Sequence, residues 1–365
     1  MAEEKPACRQ AGLKIVLLSY YSGVVYRGVE TFVHELANRL VTVGHEVTVF
    51  QSGPKLNGSS YKTVVIDDPS AVEALNWKIS FVPYLNDYAL KVKAFTQKCL
   101  KNMPKDIDIL FPTNGQWESL LCKIWTKKNK IKLVLVGQSG PGIDDRLNLL
   151  TFPDTFVALT EPQRKWARSA NPFTKTVTIP NGVDLAKFNS GVKKLSVNLP
   201  RPIILCVAAL DFWKRQDLAI KAVSQLEKGS LFLVGKGGQD KKLRILGEKY
   251  LPGRFMIASF KHEEMPAVFA AADIFTYPTV AWESFGIVMV EAMALGLPVV
   301  ASDDPIRKEI VGNAGIFVDP KDTNNYTQAL KKCLDADWGN KPRLQAQKFG
   351  WDEIAKKYEK LFLEV

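Results

Sequence analysis

Twice along this chain, a short and unbroken apolar run leads through a loop into a helix-length stretch and then into a second apolar run. Residues 14–19 read as a buried strand, followed by a loop containing Gly23 and Gly28. From about Val29 to Val41 the apolar residues Phe32, Val33, Leu36, Ala37 and Leu40 share one helical face. Gly44 closes that helix, and residues 47–50 form the next strand. This is a βαβ unit, which forces parallel strand pairing and seeds a parallel sheet. The same rhythm restarts at residues 203–208, with a helix over 216–226 and a strand at 231–234 that ends in a Gly235-Lys-Gly-Gly238 turn. Further strands are expected at 273–277, 298–301 and 315–318. Between the two halves, Pro180-Asn-Gly182 makes a turn and 189–202 lacks periodicity. The expected domains are 1–182 and 183–350. An amphipathic helix over 351–365, with Ile354, Tyr358 and Leu361 on one stripe, either caps the second domain or crosses back to the first.

Length and composition agree with two globular α/β domains: 365 residues, 46% apolar and 24% charged. Residues 1–10 are polar and acidic and do not resemble a signal peptide, and no run approaches a membrane span. The expectation is a cytoplasmic protein, with a peripheral place at the inner face of the membrane as the alternative. Cys8, Cys99, Cys122, Cys206 and Cys333 are scattered, as are His34, His45 and His262, so a Cys/His metal site is not expected. Asp106-Ile-Asp108 spells a D-x-D pair but precedes a strand, and reads as a surface turn.

The net charge of +11 is uneven: from Lys78 to Lys132 there are 11 Lys against 4 acidic residues. Within that stretch a helix is expected over 84–101, with Leu85, Tyr88, Val92, Phe95 and Cys99 on one side and Lys91, Lys93, Lys98 and Lys101 on its flanks. Such a helix is what a contact with an anionic membrane surface requires, and also what any helix packed on a sheet shows. No nucleic-acid partner is expected.

Most of the chemistry lies in Trp282-Glu-Ser-Phe-Gly-Ile-Val-Met-Val-Glu-Ala-Met-Ala-Leu-Gly-Leu-Pro298. A helix should begin near Gly286 and end at Gly296, with Pro298 barring continuation. The free amides of Gly286, Ile287 and Val288 would then face an anion such as a diphosphate. Glu283 precedes the helix, and Glu291 sits among Val288, Met289, Val290, Ala292 and Met293, where a carboxylate needs a partner. Two readings stay open on these residues alone: a ligand site, or a dipole partner at Glu283 and a buried salt bridge at Glu291.

This run resembles the donor-site signature of retaining, nucleotide-sugar-dependent glycosyltransferases of the family-4 type. The resemblance extends over nearly the whole chain. It includes Arg27-Gly-Val-Glu-Thr-Phe-Val-His-Glu-Leu-Ala37, Ile179-Pro-Asn-Gly-Val-Asp184 with Phe188, residues 231–238, 264–273 and Arg307-Lys-Glu-Ile-Val311. It implies an α/β GT-B fold: two facing Rossmann-like, doubly wound domains with a central cleft. The first domain would take the acceptor and the second the nucleotide sugar, with no cofactor. The resemblance further implies that Glu283 contacts the donor sugar's hydroxyls and Glu291 the ribose. Gly28, Phe285, Gly286, Ile287 and Val288 would line the donor, and Lys214 with Glu283 would be catalytic. The acceptor would be a glycan, a lipid-linked molecule or a small molecule.

The chain departs from the family at two places. Ala209 stands where an Arg usually helps clamp the diphosphate; Lys214 matches the family's Lys, and Arg215, where Gly is usual, would partly compensate. Gln138 stands where a His is frequent on the acceptor side; it can hydrogen-bond a hydroxyl but cannot take its proton. Two rival functions stand beside the transferase: a nucleotide-sugar hydrolase or epimerase on the same fold, and a non-catalytic nucleotide-sugar-binding subunit, which Ala209 and Gln138 keep open.

Overall fold

The computed structural model describes residues 12–25, 27–68 and 83–365. The expectations for residues 1–10, Cys8 and Lys78 lie outside the described residues. The chain divides into two compact units. The first comprises the chain as far as Leu159, Arg164–Ile179 and Ala355–Val365; the second comprises Thr160–Gln163 and Pro180–Ile354. The main passage between them thus falls at Ile179 and Pro180, at the turn singled out in the sequence.

The first unit is built on seven parallel strands: β1 (Lys14–Ser19), β2 (Glu46–Gln51), β3 (Lys62–Val65), β4 (Ile109–Pro112), β5 (Lys132–Val136), β6 (Thr155–Ala158) and β7 (Thr176–Thr178). Their order is β3-β2-β1-β4-β5-β6-β7. Ile15 of β1 pairs with Val47 on one side and Ile109 on the other. β3 was not legible as a strand, because Lys62-Thr-Val-Val65 lies at the sheet edge and is only partly covered.

The second unit has six parallel strands: β8 (Ile203–Val207), β9 (Ser230–Val234), β10 (Phe255–Ala258), β11 (Ile274–Tyr277), β12 (Val299–Ser302) and β13 (Gly315–Val318). They run in the order β10-β9-β8-β11-β12-β13. Every residue of β8, β9, β11 and β12 is buried, which is why these strands read as unbroken apolar runs rather than alternating ones. Both sheets reverse direction of growth at their first strand. The loops after β8 and β11 therefore lie side by side at the carboxyl ends of the strands, the place where open α/β sheets bind ligands.

The helix expected over 84–101 begins later, at Asp87, where Asn86 caps it by accepting from the Ala89 amide at 2.8 Å. Val92, Phe95 and Cys99 point into the first unit's core. Leu85 precedes the helix and is exposed. The apolar stripe is thus mainly a core face, and Lys98 and Lys101 remain exposed beside it. Asp108 accepts from the Lys14 amide at 2.9 Å and Asp106 pairs with the Lys14 ammonium, so the D-x-D pair shapes the turn before β4.

The last helix, Trp351–Glu364, belongs to the first unit from Ala355 onward. There Tyr358 packs on Phe32 and Phe111, with ring centroids 5.6 and 5.9 Å apart, and Phe362 meets Phe111 at 5.8 Å. The Tyr358 hydroxyl is buried and has no hydrogen-bond partner among the described residues. An unmet buried hydroxyl costs stability, whereas the ring supplies it. Tyr358→Phe should therefore match or exceed the wild type by about 1 kcal/mol in denaturant unfolding. Tyr358→Ala should lose roughly 3–5 kcal/mol. A Phe variant as damaged as the Ala variant would show that the hydroxyl is bonded.

Candidate active site

Lys214 closes a short 3-10 turn, Phe212–Lys214, just after β8, and Glu283 lies in the loop after β11. Because β8 and β11 are neighbours at the reversal point of the sheet, these two loops meet. The Val280 amide donates to the Trp213 carbonyl at 3.2 Å and stitches them together. Lys214 Nζ lies 2.6 Å from Glu283 Oε2 and donates to the Tyr277 hydroxyl at 3.2 Å. Thr279 Oγ1 lies 3.3 Å from the same Glu283 oxygen. Burial works against the Lys214 charge, but the facing Tyr277 and Glu283 outweigh it and hold its pKa above the ordinary lysine value. Burial, reinforced by Glu283, pushes the Tyr277 hydroxyl up to about 12. At neutral pH the site holds a charged ammonium and a neutral phenol.

Arg215 has φ +52, the left-handed region that a non-glycine residue rarely adopts. This gives a physical reason for a glycine at that position in the resembled family. Among the described residues, the Arg215 guanidinium has no ion-pair or hydrogen-bond partner. Ala209 contributes only backbone, its carbonyl accepting from Gln216 Nε2 at 2.9 Å.

The helix Ile287–Ala294 starts and stops where the sequence places it. Gly286 caps its start at φ +78 and Gly296 follows its end at φ +90. A Cβ on Gly286 would stand 2.8 Å from Tyr277 Cε1, so glycine is required for space as well as for backbone. Its first amides, at Ile287 and Val288, precede the intrahelical ladder, and the turn that leads into them lies against Tyr277 at the carboxyl end of β11. Phe285, expected to line the donor, is buried with its ring 5.8 Å from that of Phe349, so it braces the loop from behind.

Glu291 sits one turn into this helix and is 6% exposed. The buried salt bridge considered from the sequence is not there: no donor among the described residues pairs with its carboxylate. Burial alone raises its pKa to about 8.

Two organising residues were quoted from the sequence without a role. Arg307, with no solvent exposure, donates to the carbonyls of Glu283 at 2.8 Å, Ala281 at 2.8 Å and Val280 at 3.3 Å. Asp304 compensates its charge at 2.8 Å and caps the helix Pro305–Val311. Tyr277 joins Lys214 to the Gly286 turn. Gly28 and Gln138 belong to the first unit, Gly28 as the first residue of the helix Gly28–Thr42 and Gln138 just after β5. No cluster of three or more His, Cys, Asp or Glu side chains suited to a metal occurs among the described residues.

Comparison with known proteins decides the family. Residues 26–187 match the model for Glycosyltransferase Family 4, and residues 189–350 match that for Glycosyl transferases group 1. The chain belongs to the family-4 glycosyltransferases. It is 28% identical over 356 residues to the phosphatidyl-myo-inositol mannosyltransferase of Mycolicibacterium smegmatis, covering 89% of this chain and 86% of that protein. The crystal structure of Anabaena HepE in complex with UDP-glucose superposes with a TM-score of 0.76 at 20% identity, covering 97% of this chain and all of that one. Sucrose-phosphate synthase from Thermosynechococcus elongatus gives the same TM-score and identity, covering 96% of this chain and 98% of that one. Each unit of this GT-B glycosyltransferase is accordingly a Rossmann-like α/β domain.

The environment of Glu291 makes stability depend on pH in a defined direction. Its carboxyl titrates near 4.5 in the unfolded chain and near 8 in the fold. The stabilisation of the protonated form is therefore complete below about pH 4.5 and is lost as pH rises through 8. Glu291→Gln keeps the shape and removes the titration. In the absence of ligand it should be more stable than wild type at pH 8.5, by on the order of a few kcal/mol, and indistinguishable at pH 4.5. Equal pH profiles for the two proteins would show that the carboxylate is solvated or paired.

Proposed function

We propose that the chain transfers a hexosyl group from a nucleoside diphosphate sugar to an acceptor hydroxyl, with retention of anomeric configuration. The observation that carries this reading is that Lys214 and the Gly286 turn, which opens the helix at Ile287 and Val288, meet at Tyr277 at the reversal point of the second sheet, with Arg215 following Lys214 in the chain. Such an array suits a diphosphate: two cations and a helix start supply positive potential where negative charge grows on the leaving group. Donor binding in relatives supports it, since HepE was crystallised with UDP-glucose.

In this reading the bond between the anomeric carbon and the diphosphate oxygen breaks, and the diphosphate departs with the electron pair. The acceptor oxygen bonds to the anomeric carbon on the same face, and its proton passes to the departing diphosphate. Lys214 and Arg215 stabilise the leaving group. Glu283, pinned by Lys214 and held through its own carbonyl by Arg307, orients the sugar hydroxyls. Glu291, whose carboxyl group has no partner among the described residues, hydrogen-bonds the ribose hydroxyls. Gly28 approaches the donor phosphates and Gln138 the acceptor. Neither a metal nor a cofactor is required, because side-chain cations and helix amides take the place of a metal at the diphosphate.

The acceptor class follows from the relatives. The mycobacterial relative is named for a phosphatidylinositol acceptor, so a lipid-linked or glycan hydroxyl is the favoured acceptor. Lys91, Lys93, Lys98 and Lys101 would then add electrostatic attraction to an anionic cytoplasmic leaflet. The hydrolase, epimerase and non-catalytic readings have no observation that favours them over transfer.

The test is turnover by the purified chain with UDP- and GDP-hexoses and a panel of lipid and glycan acceptors, in EDTA, with the product anomer read by NMR. The expected outcome is transfer with the donor's anomeric configuration and less than a two-fold effect of EDTA. An inverted product, or activity that is lost in EDTA and restored by Mg²⁺ or Mn²⁺, contradicts the mechanism. Release of free sugar without transfer contradicts the transferase reading.

A further inference from the structure

A second concentration of positive charge lies in the first unit, away from the loops that carry Gly28 and Gln138. Those loops follow β1 and β5, at the carboxyl ends of the strands. The loops at 150–154 and 171–175 precede β6 and β7 and lie at the opposite, amino-terminal edge of the sheet. There the helix Glu161–Ala170 ends and a cavity of about 380 Å³ opens. Arg164 and Arg168, one helical turn apart, and Lys175 at the approach to β7 line it, and none of its lining residues is acidic. Arg168 and Lys175 are exposed and have no ion-pair partner among the described residues.

The cavity is held open by backbone that cannot easily collapse. Asn171, 3% exposed, donates from Nδ2 to the Leu149 carbonyl at 2.7 Å and accepts from the Phe173 amide at 3.1 Å. The Phe156 amide donates to the Lys175 carbonyl at 2.8 Å and fixes the far wall. Thr174, 5% exposed, also lines the cavity, but its hydroxyl is turned into the protein, so the polar groups the cavity offers a ligand are the Arg and Lys side chains. Such side chains bind an oxyanion through charge-assisted hydrogen bonds.

The rim is unlike an ordinary solvated surface. Phe173 is 86% exposed on the cavity wall, and Phe152 and Leu150 in the adjoining loop are 51% and 53% exposed. The two loops share one anchor, because the Phe152 amide and Asn171 Nδ2 both donate to the Leu149 carbonyl. Apolar rings beside Arg and Lys are the arrangement that meets the boundary between phosphate and acyl chains.

We propose that this cavity binds a phosphate-bearing ligand through Arg164, Arg168 and Lys175. Its exposed collar of Phe173, Phe152 and Leu150 favours a phosphate presented at a lipid surface over a free one. The site is separate from the donor crevice and does not rest on the transferase reading.

The test uses the full chain with two probes: glycerol 3-phosphate in solution, by calorimetric titration, and phosphatidylcholine vesicles with and without 30% phosphatidylglycerol, by flotation (about 30% being chosen to give a strongly negative surface). Wild type should float with the anionic vesicles and not the neutral ones, and high salt should release it. Arg168→Glu/Lys175→Glu, on two exposed side chains, should weaken vesicle binding at least ten-fold with an unchanged melting curve. Arg168→Ala/Lys175→Ala should do so to a lesser degree. Phe173→Ser should weaken vesicle binding and leave glycerol 3-phosphate binding intact. Lys214→Ala should leave both intact, which separates this cavity from the donor crevice. Glycerol 3-phosphate binding without flotation, lost in the charge-reversed variant, would assign a soluble phosphate to the same cavity. The proposal is overturned if wild type binds neither probe. It is equally overturned if the charge-reversed variant binds as wild type does, including the case in which only Lys91→Glu/Lys93→Glu/Lys98→Glu abolishes flotation.

Discussion

A guanidinium with no solvent exposure holds the candidate site in shape. Arg307 donates to the carbonyls of Val280, Ala281 and Glu283 in the loop after β11 and pairs its charge with Asp304. Removing one partner of such a pair leaves a buried charge and costs roughly 3–5 kcal/mol. The geometry has a functional consequence as well. With the carbonyls of residues 280, 281 and 283 fixed, the Glu283 backbone is held where its side chain meets Lys214. Lys214 is in turn fixed between Glu283 and Tyr277, and Tyr277 leaves room for the Gly286 turn only because that residue lacks a Cβ. One buried charge pair thus positions a cation, a carboxylate and a helix start in a single crevice.

The polar groups of this crevice divide into two kinds. Lys214 and Glu283 satisfy one another before any ligand arrives, so they are preorganised and lose little freedom on binding. Arg215 and Glu291 have no such partner among the described residues. Arg215 holds a left-handed backbone without glycine's freedom, and Glu291 buries an ionisable carboxyl group in an apolar helix. Unfavourable local choices of this sort concentrate at sites that a ligand completes.

Much of this was legible in the sequence, and what escaped it escaped for identifiable reasons. The parallel sheets followed from unbroken apolar runs alternating with amphipathic stretches, because strands buried on both faces leave that mark. The limits of the helix Ile287–Ala294 followed from Gly286, Gly296 and Pro298, each of which acts locally. The edge strand β3 has too little covered surface to leave a pattern. The start of the helix at Asp87 was missed because Leu85, although apolar, is exposed and precedes the cap at Asn86. Arg307, Tyr277 and the inward-facing Phe285 act through contacts between segments far apart in the chain, and spacing along a sequence carries no signal for those. The left-handed backbone at Arg215 had one faint signal, the glycine usual at that position in the resembled family. Burial of Glu291 pointed to a salt bridge, but no donor among the described residues pairs with its carboxyl group.

The central claim is that a nucleoside diphosphate is held in the second unit by Lys214 and the helix start at Ile287. Calorimetric titration of UDP and GDP into wild type and Lys214→Ala, with EDTA present throughout, tests it most directly. Losing one charge-assisted contact is worth about 1.5–3 kcal/mol, so the account predicts roughly ten- to hundred-fold weaker binding by a variant whose melting curve is otherwise native. A well-folded Lys214→Ala protein that binds both nucleotides with wild-type affinity would contradict it.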